Sequence, residues 1–365
     1  MHQDVRYMNM AIELARAGSG QTSPNPLVGA VIVKNGAVVG MGAHLKAGQP
    51  HAEIHALQMA GDQAKDATLY VTLEPCCHFG RTPPCTEAIM RAGISRVVVA
   101  VSDPNPRVVG GGIEKLRAAG LEVISGVEEE RAKQLNEVFF HYIQTRRPFV
   151  TLKTASTLDG KLATHTGQSK WITGEAARRE VHELRRRHDA ILVGSGTVLA
   201  DDPELTARMN GKPWRKQPVR VVLDRRLRTP LTARVVTDDS AETWILTTSE
   251  SSEQKRQALT EKGATVIAVE GELTVVKVLE VLGERGITSL IVEGGSEING
   301  AFLQAKAFQK FISYMSMKLI GGKEAPPIFG GKGISDIGDA LHLIQTELEP
   351  IDHQDIRITG YPQWK

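Results

Sequence analysis

The sequence predicts an α/β protein of two domains, each a sheet flanked by helices. Three observations carry this. The chain has 365 residues, more than the roughly 100–200 that one domain commonly takes. Hydrophobic residues make up 41% and charged residues 24%, the balance of a folded globular chain and not of a disordered one. Segments with helical apolar spacing alternate with short β-rich runs, and the alternation is interrupted once, at Thr145-Arg146-Arg147-Pro148. Proline blocks helix continuation there and its neighbours are polar. The expected domains are therefore residues 1–147 and 148–365.

In the first half, Met8 to Leu14 has the apolar spacing of an amphipathic helix. Val28 to Val33 reads as a strand and Ala37 to Gly42 as its hairpin partner. His51 to Ala60 is helical, Ala67 to Leu73 a strand, and Thr86 to Arg91 another helix. Arg96 to Val101 is an unbroken apolar run, the mark of a strand buried on both faces. Helix Gly112 to Ala119, strand Leu121 to Ile124 and one long helix from Glu128 to Ile143 follow. The result is a mixed sheet with helices on both faces.

The second half begins with strand Phe149 to Thr154, helix Glu175 to Arg187 and strand Ala190 to Val193. Strands Val219 to Leu223 and Thr243 to Leu246 come next. Helix Ser252 to Lys262, strand Thr265 to Val269, helix Val275 to Glu284, strand Ser289 to Val292 and helix Glu297 to Ala305 complete the strong signals. The last 50 or so residues are glycine-rich and end in strands that include Asp355 to Ile358.

Composition excludes several functions. Lys and Arg number 44 against 42 Asp and Glu, so the net charge is +2 and no polybasic nucleic-acid surface dominates. Aromatic residues are only 5%, too few for a base-stacking platform. No apolar stretch approaches the 18 or so residues that span a membrane. Charged residues interrupt the N-terminal apolar run, which reads as a helix and not a signal peptide. Partners are therefore expected to be small molecules, with neither nucleic acid nor membrane, and the location cytoplasmic. The three cysteines, Cys76, Cys77 and Cys85, lie within ten residues of one another. That is no disulfide framework; clustered thiols point to a metal or a reactive site.

His51-Ala52-Glu53 opens a predicted helix, and Pro75-Cys76-Cys77-His78 through Cys85 follows a predicted strand. One imidazole and two thiolates hold a zinc ion and leave its fourth position for water. Zinc brings the pKa of such a water to about 7. Glu53 stands two residues from the ligand His51, placed to carry a proton without ligating the metal. Zinc deaminases combine His-x-Glu with Pro-Cys-x-x-Cys. Here Cys76 and Cys85 are nine apart with Cys77 between them. Cys77 and His78 stand as alternative ligands. The competing reading is a surface histidine with small core cysteines; the two motif halves together argue against it.

The long insert Cys76-Cys-His-Phe-Gly-Arg-Thr-Pro-Pro-Cys85 resembles one family, the bifunctional riboflavin-biosynthesis deaminase/reductases. The likeness extends to Asn25-Pro26 with Val28-Gly29, to His51-Ala-Glu53 and to Asp103-Pro-Asn-Pro106. It continues through Ser156 to Gly160, Trp171-Ile-Thr173, Thr197 to Pro203 and Glu293-Gly-Gly295. Two departures stand out: Cys77, where the family more often has serine, and Tyr314-Met-Ser-Met-Lys318, where it usually has Ala-Pro before the lysine. The resemblance implies a cytidine-deaminase-like first domain and a dihydrofolate-reductase-like second domain. It implies that the first half removes the 2-amino group of a diaminopyrimidinone ribosyl phosphate. The second half would reduce the ribosyl group to ribityl with NADPH. A homo-oligomer is expected.

For the first site, zinc is expected on His51, Cys76 and Cys85, with Glu53 as proton carrier. Asn25 suits a pyrimidine edge, with a turn residue before Pro26 as its plain alternative. Arg81 suits a phosphate or ribose, or is a solvated loop cation. Asp103 and Asn105 follow a strand end, where α/β sheets place ligand loops, although Pro104 and Pro106 also impose turn chemistry.

For the second site, no Gly-x-Gly-x-x-Gly follows a strand, so no Rossmann fingerprint is present. Val292-Glu-Gly-Gly-Ser runs instead from a strand through two glycines into a helix whose free N–H groups suit a pyrophosphate. The resemblance places Ala155, Trp171, Thr197 and Asp201 along NADPH, with Gly295, Ser296, Glu297, Ile298, Asn299, Gly300 and Ala301 at its phosphates. It places Ser169, Arg185, Leu205, Arg208 and Glu293 at the substrate. Arg185 and Arg208 suit phosphate because guanidinium binds it in a bidentate manner. Lys153 and Asp201 both stand as candidates to protonate the opening sugar. Arg225, Arg226 and Arg228 suit a 2′-phosphate or a solvated turn equally. The runner-up function is a zinc deaminase of a nucleoside or nucleic acid with an unrelated appended domain.

Overall fold

The computed structural model describes residues 2–79, 83–105 and 110–364. The chain divides into two compact units, Met1–Arg146 and Arg147–Lys365. Among the described residues no helix is long and apolar enough to cross a membrane.

In the first unit the order is α1 (His2–Ala15), β1 (Gly29–Lys34), β2 (Ala37–Ala43), α2 (Ala52–Ala60), β3 (Thr68–Leu73), α3 (Cys85–Arg91), β4 (Arg96–Val101), α4 (Gly111–Ala118), β5 (Glu122–Ser125), α5 (Glu129–Leu135) and α6 (Glu137–Thr145). The sheet runs β2-β1-β3-β4-β5. β1 is antiparallel to β2 and β3, whereas β3, β4 and β5 are parallel. The period of two along β1 sorts its side chains onto two cores. Ala30 and Ile32 meet α2, α3 and α4, while Val31 and Val33 meet α1 and α5.

Small residues let α2 lie close on the hairpin. A Cβ on Gly42 would stand 2.1 Å from the Ala52 carbonyl oxygen, so only glycine permits this approach. That contact fixes the start of α2, where His51 and Glu53 sit.

The single helix expected from Glu128 to Ile143 is two helices, α5 and α6, broken at Asn136. The cause is a competing set of hydrogen bonds. Asn136 Oδ1 accepts from Leu27 N at 2.8 Å, and its Nδ2 donates to Leu27 O at 2.8 Å. The break ties α5 and α6 to the segment that follows Asn25.

The second unit contains β6 (Phe149–Thr157), α7 (Glu175–Arg187), β7 (Ala190–Gly194), α8 (Ser195–Asp201), the short pair β8 (Arg208–Met209) and β9 (Lys212–Pro213), β10 (Val219–Leu223), α9 (Arg234–Thr237), β11 (Thr243–Thr248), α10 (Glu253–Glu261), β12 (Thr265–Val269), α11 (Val275–Glu284), β13 (Ser289–Val292), α12 (Ser296–Gln304), β14 (Lys310–Ser316), β15 (His342–Pro350) and β16 (Asp355–Gln363). Nine strands form one sheet in the order β12-β11-β10-β7-β13-β6-β14-β16-β15. The first seven are parallel and the last two antiparallel to their neighbours. One face of the central strands packs on α11 and α12 through Val278, Leu282 and Phe302. The other packs on α8, α9 and α10 through Val198, Val235 and Leu259.

Several elements of this unit differ from expectation. α8 follows β7 directly, with Gly194 as its N-cap and no apolar stripe long enough to announce it. β8, β9, α9 and β14 were not expected, and the exposed edge strand β15 falls among C-terminal strands expected without bounds. The departure at Tyr314 to Met317 does not disturb β14, which pairs in unbroken register with β6 from Lys310 to Ser316 and with β16 from Phe311 to Ser316.

Candidate functional site

The first site forms where α2 starts and β3 ends. His51 occupies the N-cap position of α2, Cys76 follows β3, and Cys85 begins α3. Ligand atoms of His51, Cys76 and Cys85 all lie within 4.8 Å of one another. His51 Nδ1 is 3.3 Å from Cys85 Sγ and 3.6 Å from Cys76 Sγ. Zn–N and Zn–S bonds at tetrahedral angles would set that separation at about 3.6 Å. The donor set and spacing fit zinc. Cys77 turns away: its Sγ stands 3.1 Å from where a Cβ on Gly111 would lie, beside α4. The Cys85 thiol, then His51, hold Cys76 down to about 4, and the same hydrogen bond pushes Cys85 up.

Glu53 is buried beside this cluster, and its Oε2 has no hydrogen-bond partner among the described residues. Burial pushes its carboxyl up, and the nearby Cys76 adds to this. A cavity of about 400 Å³ opens over it, lined by Asn25, His44, Glu74, His78, Asp103 and Asn105 among others. His44 stands 3.2 Å from Pro50 O through Nδ1 and 3.1 Å from Asn25 Nδ2 through Nε2. With Nδ1 donating, Nε2 accepts from the amide, which leaves Asn25 Oδ1 as the acceptor offered to a ligand. Asp103 Oδ1 accepts from Asn105 N at 2.8 Å. Burial raises the Asp103 carboxyl. Arg81 lies outside the described residues.

A second cavity, of about 580 Å³, lies beside the middle of β6 and the C-terminal ends of β7 and β13. It is lined by Lys153, Ala155, Ser169, Trp171, Arg185, Thr197, Asp201, Leu205, Arg208, Glu293 and Gly295. α8 brings Thr197 and Asp201 to one face by their i, i+4 spacing. Ser169 Oγ donates to Asp201 Oδ1 at 3.1 Å. Trp171 is exposed, with the Arg178 guanidinium 4.5 Å from its ring centre. Lys318 Nζ donates to the carbonyls of Trp171 and Ile172 at 2.9 and 2.8 Å.

A half-buried charge cluster lies in this cavity. Glu293 accepts from Arg185 Nε at 2.7 Å and Nη2 at 2.9 Å, and from Lys153 Nζ at 3.4 Å. Burial opposes ionisation of Glu293, but Arg185 and Lys153 outweigh it and hold the carboxyl at about 2. Burial pulls the Lys153 ammonium down despite Glu293.

Not every expected residue reaches the cavity in the expected way. Arg185 is engaged by Glu293 and by the Thr206 carbonyl at 3.1 Å, so its fork grips a carboxylate of the protein and is not poised as an open phosphate clamp. From Gly295 to Ala301 only Gly295 lines this cavity. Asn299 is buried and donates to Ile328 O at 2.9 Å, Gly300 packs on the Gly330 backbone, and Ile298 lies against Gly194 and Gly294. Arg208 pairs with Glu204 at 2.6 Å. Arg225 and Arg226 line a separate opening of about 670 Å³ at the ends of β10 and β11, whereas Arg228 donates to Ser195 Oγ at 2.9 Å.

Sequence reasoning missed His44 and Glu74 in the first cavity and Arg178, His182 and Arg234 in the second. Only the placement of His44 and Glu74 just after strand ends signalled them. The other three sit on helices, where the sequence pattern reads as solvated polar faces.

Comparison with known proteins accounts for both halves. Residues 1–101 match the model of the cytidine and deoxycytidylate deaminase zinc-binding region, and residues 148–356 match the RibD C-terminal domain. The chain is 51% identical to the riboflavin biosynthesis protein RibD of Bacillus amyloliquefaciens, over 98% of this chain and 96% of the relative. It is 42% identical to the Escherichia coli protein of that name, over 93% and 94%. Acinetobacter baumannii RibD superposes with a TM-score of 0.89 at 40% identity, covering 99% of each chain. A diaminohydroxyphosphoribosylaminopyrimidine deaminase/5-amino-6-(5-phosphoribosylamino)uracil reductase from Thermotoga maritima superposes at 0.86 with 40% identity, again over 99% of each. The second half is thus no unrelated appendage. The first unit has the cytidine-deaminase-like fold and the second the dihydrofolate-reductase-like α/β fold. The chain belongs to the RibD family of bifunctional riboflavin-biosynthesis enzymes, with a zinc-binding deaminase half and a reductase half.

Proposed function

We propose that the first cavity replaces the 2-amino group of 2,5-diamino-6-ribosylamino-4(3H)-pyrimidinone 5′-phosphate by oxygen, releasing ammonia. The second then reduces the ribosyl group of the product to ribityl. The observation that carries this is the convergence of His51, Cys76 and Cys85 at zinc-like separations beside the unpartnered Glu53 oxygen. When bound there, zinc supplies a water acidic enough to attack near neutral pH. Glu53 takes the proton from the attacking water and delivers it to the departing nitrogen. Asn25 accepts from a ring or amino N–H through Oδ1, with His44 holding its amide in that orientation. Asp103 and Asn105 line the same cavity and contact the remaining polar edge and ribose. Arg81 is assigned to the ribosyl phosphate.

In the second half, NADPH supplies a hydride when bound, and the protein supplies alignment and a proton. Ala155, Trp171, Thr197, Asp201 and the turn at Gly295 are assigned to NADPH. Ser296 to Ile298 are assigned to its phosphates through the first-turn N–H groups of α12, with Asn299 to Ala301 supporting that turn. Arg225 and Arg226 have the charge and position to receive a 2′-phosphate. Between the two proton-donor candidates we assign Lys153, because burial makes its ammonium the readier donor. Glu293 and Arg185 hold it in place. Ser169, Leu205 and Arg208 are assigned to the substrate, with Arg208 at its phosphate and the cavity-lining Arg234 beside it.

The reading places the enzyme in the cytoplasm as a homo-oligomer acting on phosphorylated pyrimidines. Native mass spectrometry showing monomer alone at working concentration would remove the oligomer. The test of the function is to supply the diaminopyrimidinone phosphate with and without NADPH. Ammonia and the ribosylaminouracil phosphate are expected without NADPH, and the ribityl product with it. No ammonia under either condition would overturn the assignment.

A further inference from the structure

Glu74 is buried at 4% exposure, directly after β3 and two residues before Cys76. Its carboxylate reaches across 29 to 39 residues of sequence to four backbone N–H groups. Oε2 accepts from Asp103 N at 3.2 Å and Gly110 N at 3.1 Å. Oε1 accepts from Gly112 N at 2.9 Å and Ile113 N at 3.1 Å. The last two belong to the first turn of α4, whose N–H groups have no partners within the helix and whose dipole favours a negative charge. A Cβ on Gly112 would lie 2.0 Å from Pro75 O, so glycine is what lets this backbone come so near.

The two oxygens offer about four lone-pair sites, and four backbone N–H donors fill them. Glu74 is therefore spent as an acceptor and is no rival to Glu53 as proton carrier. What it does is join two parts of the first cavity. On one side is the strand end that leads to Cys76. On the other is Asp103, which in turn accepts from Asn105 N. We propose that Glu74 is a positioning residue for the deaminase substrate, holding Asp103 and Asn105 at a set height above the metal ligands. The proposal rests on the deaminase reading above.

Glutamine at this position keeps size and shape but has one acceptor oxygen. Its NH₂ would face two N–H donors. The amide can serve the pair on α4 or the pair at Asp103 and Gly110, and not both. Losing charged-acceptor bonds of this kind weakens an interaction by about 10- to 100-fold.

The experiment uses full-length Glu74→Gln. Zinc content, KM and kcat for deamination, and NADPH-dependent reduction of supplied deaminated substrate are measured on the same preparation. Zinc and reduction should match the parent chain. The deamination KM should rise about 10- to 100-fold, with kcat changed far less. Amide hydrogen exchange in peptides covering 102–113 should accelerate, with no change over α1. Unaltered exchange would overturn the anchor by itself. Faster exchange with an unchanged KM, or loss confined to kcat, would overturn the positioning role. If the parent chain releases no ammonia the deaminase reading fails, and the exchange measurement still decides whether Glu74 is the anchor.

Discussion

The two sites are built on opposite plans. The deaminase cavity draws its reactive groups from two short stretches, His51 to Glu53 and Cys76 to Cys85, each placed by one helix start or strand end. The reductase cavity draws from positions between Lys153 and Gly295, spread over β6, β7 and β13 and three helices, α7, α8 and α9. The first uses metal-ligand chemistry, in which residue type and spacing are demanding. The second uses shape and a half-buried ion cluster, for which many sequences serve. The contrast shows that local chemistry leaves a readable motif, whereas a site assembled by topology does not.

The largest expected effect breaks the first site alone. In Cys85→Ser, zinc content and deamination should both collapse, while reduction of supplied deaminated substrate continues. Cys77→Ser should keep the full zinc content, because Cys77 Sγ faces Gly111. Equal zinc loss in both variants would overturn the ligand assignment. Next comes Glu53→Gln, which keeps zinc but cannot shuttle a proton; deamination should fall by about 10²–10⁴-fold. Near-normal turnover would show that another group carries the proton.

In the second site the expected effects are smaller. Lys153→Gln should slow NADPH oxidation by about 10²-fold, at the low end for lost general acid catalysis. Zinc-dependent deamination should be untouched. Arg208→Ala should weaken substrate about 10- to 150-fold, the effect of one charge-assisted hydrogen bond, and hardly change NADPH affinity. The reverse pattern would exchange the two ligand positions. The smallest effect sharpens the comparison between units. Residues 1–147 alone should bind zinc with the stoichiometry of the full chain, because the compact unit ends at Arg146. A folded fragment without zinc would show that the first site depends on the second unit.

Much of the fold was legible because buried parallel strands such as Arg96–Val101 and Ser289–Val292 are short apolar runs with few alternatives. α8 was not, since its seven residues carry too little periodicity. The break at Asn136 was not, because it depends on Leu27, more than a hundred residues away in sequence. Edge strand β15 is exposed along most of its length and so lacks the apolar alternation that reveals a strand. At the first site, residue type and spacing predicted a metal cluster that the structure brings together; the place of Glu74 after a strand end was a signal, but its anchoring role was not legible because its partners are backbone N–H groups. At the second site, Glu293 and Arg185 were named as substrate contacts. Their mutual bidentate pair is a long-range fact that no local pattern encodes.

The central claim is that one chain carries two chemically independent sites, of which only the first needs a metal. Chelation of the full-length protein tests it most directly. After zinc removal, ammonia release from the diaminopyrimidinone phosphate should stop and return on adding zinc. NADPH oxidation with supplied 5-amino-6-(5-phosphoribosylamino)uracil should proceed at the untreated rate throughout. Loss of both activities on chelation, or of neither, would contradict the account.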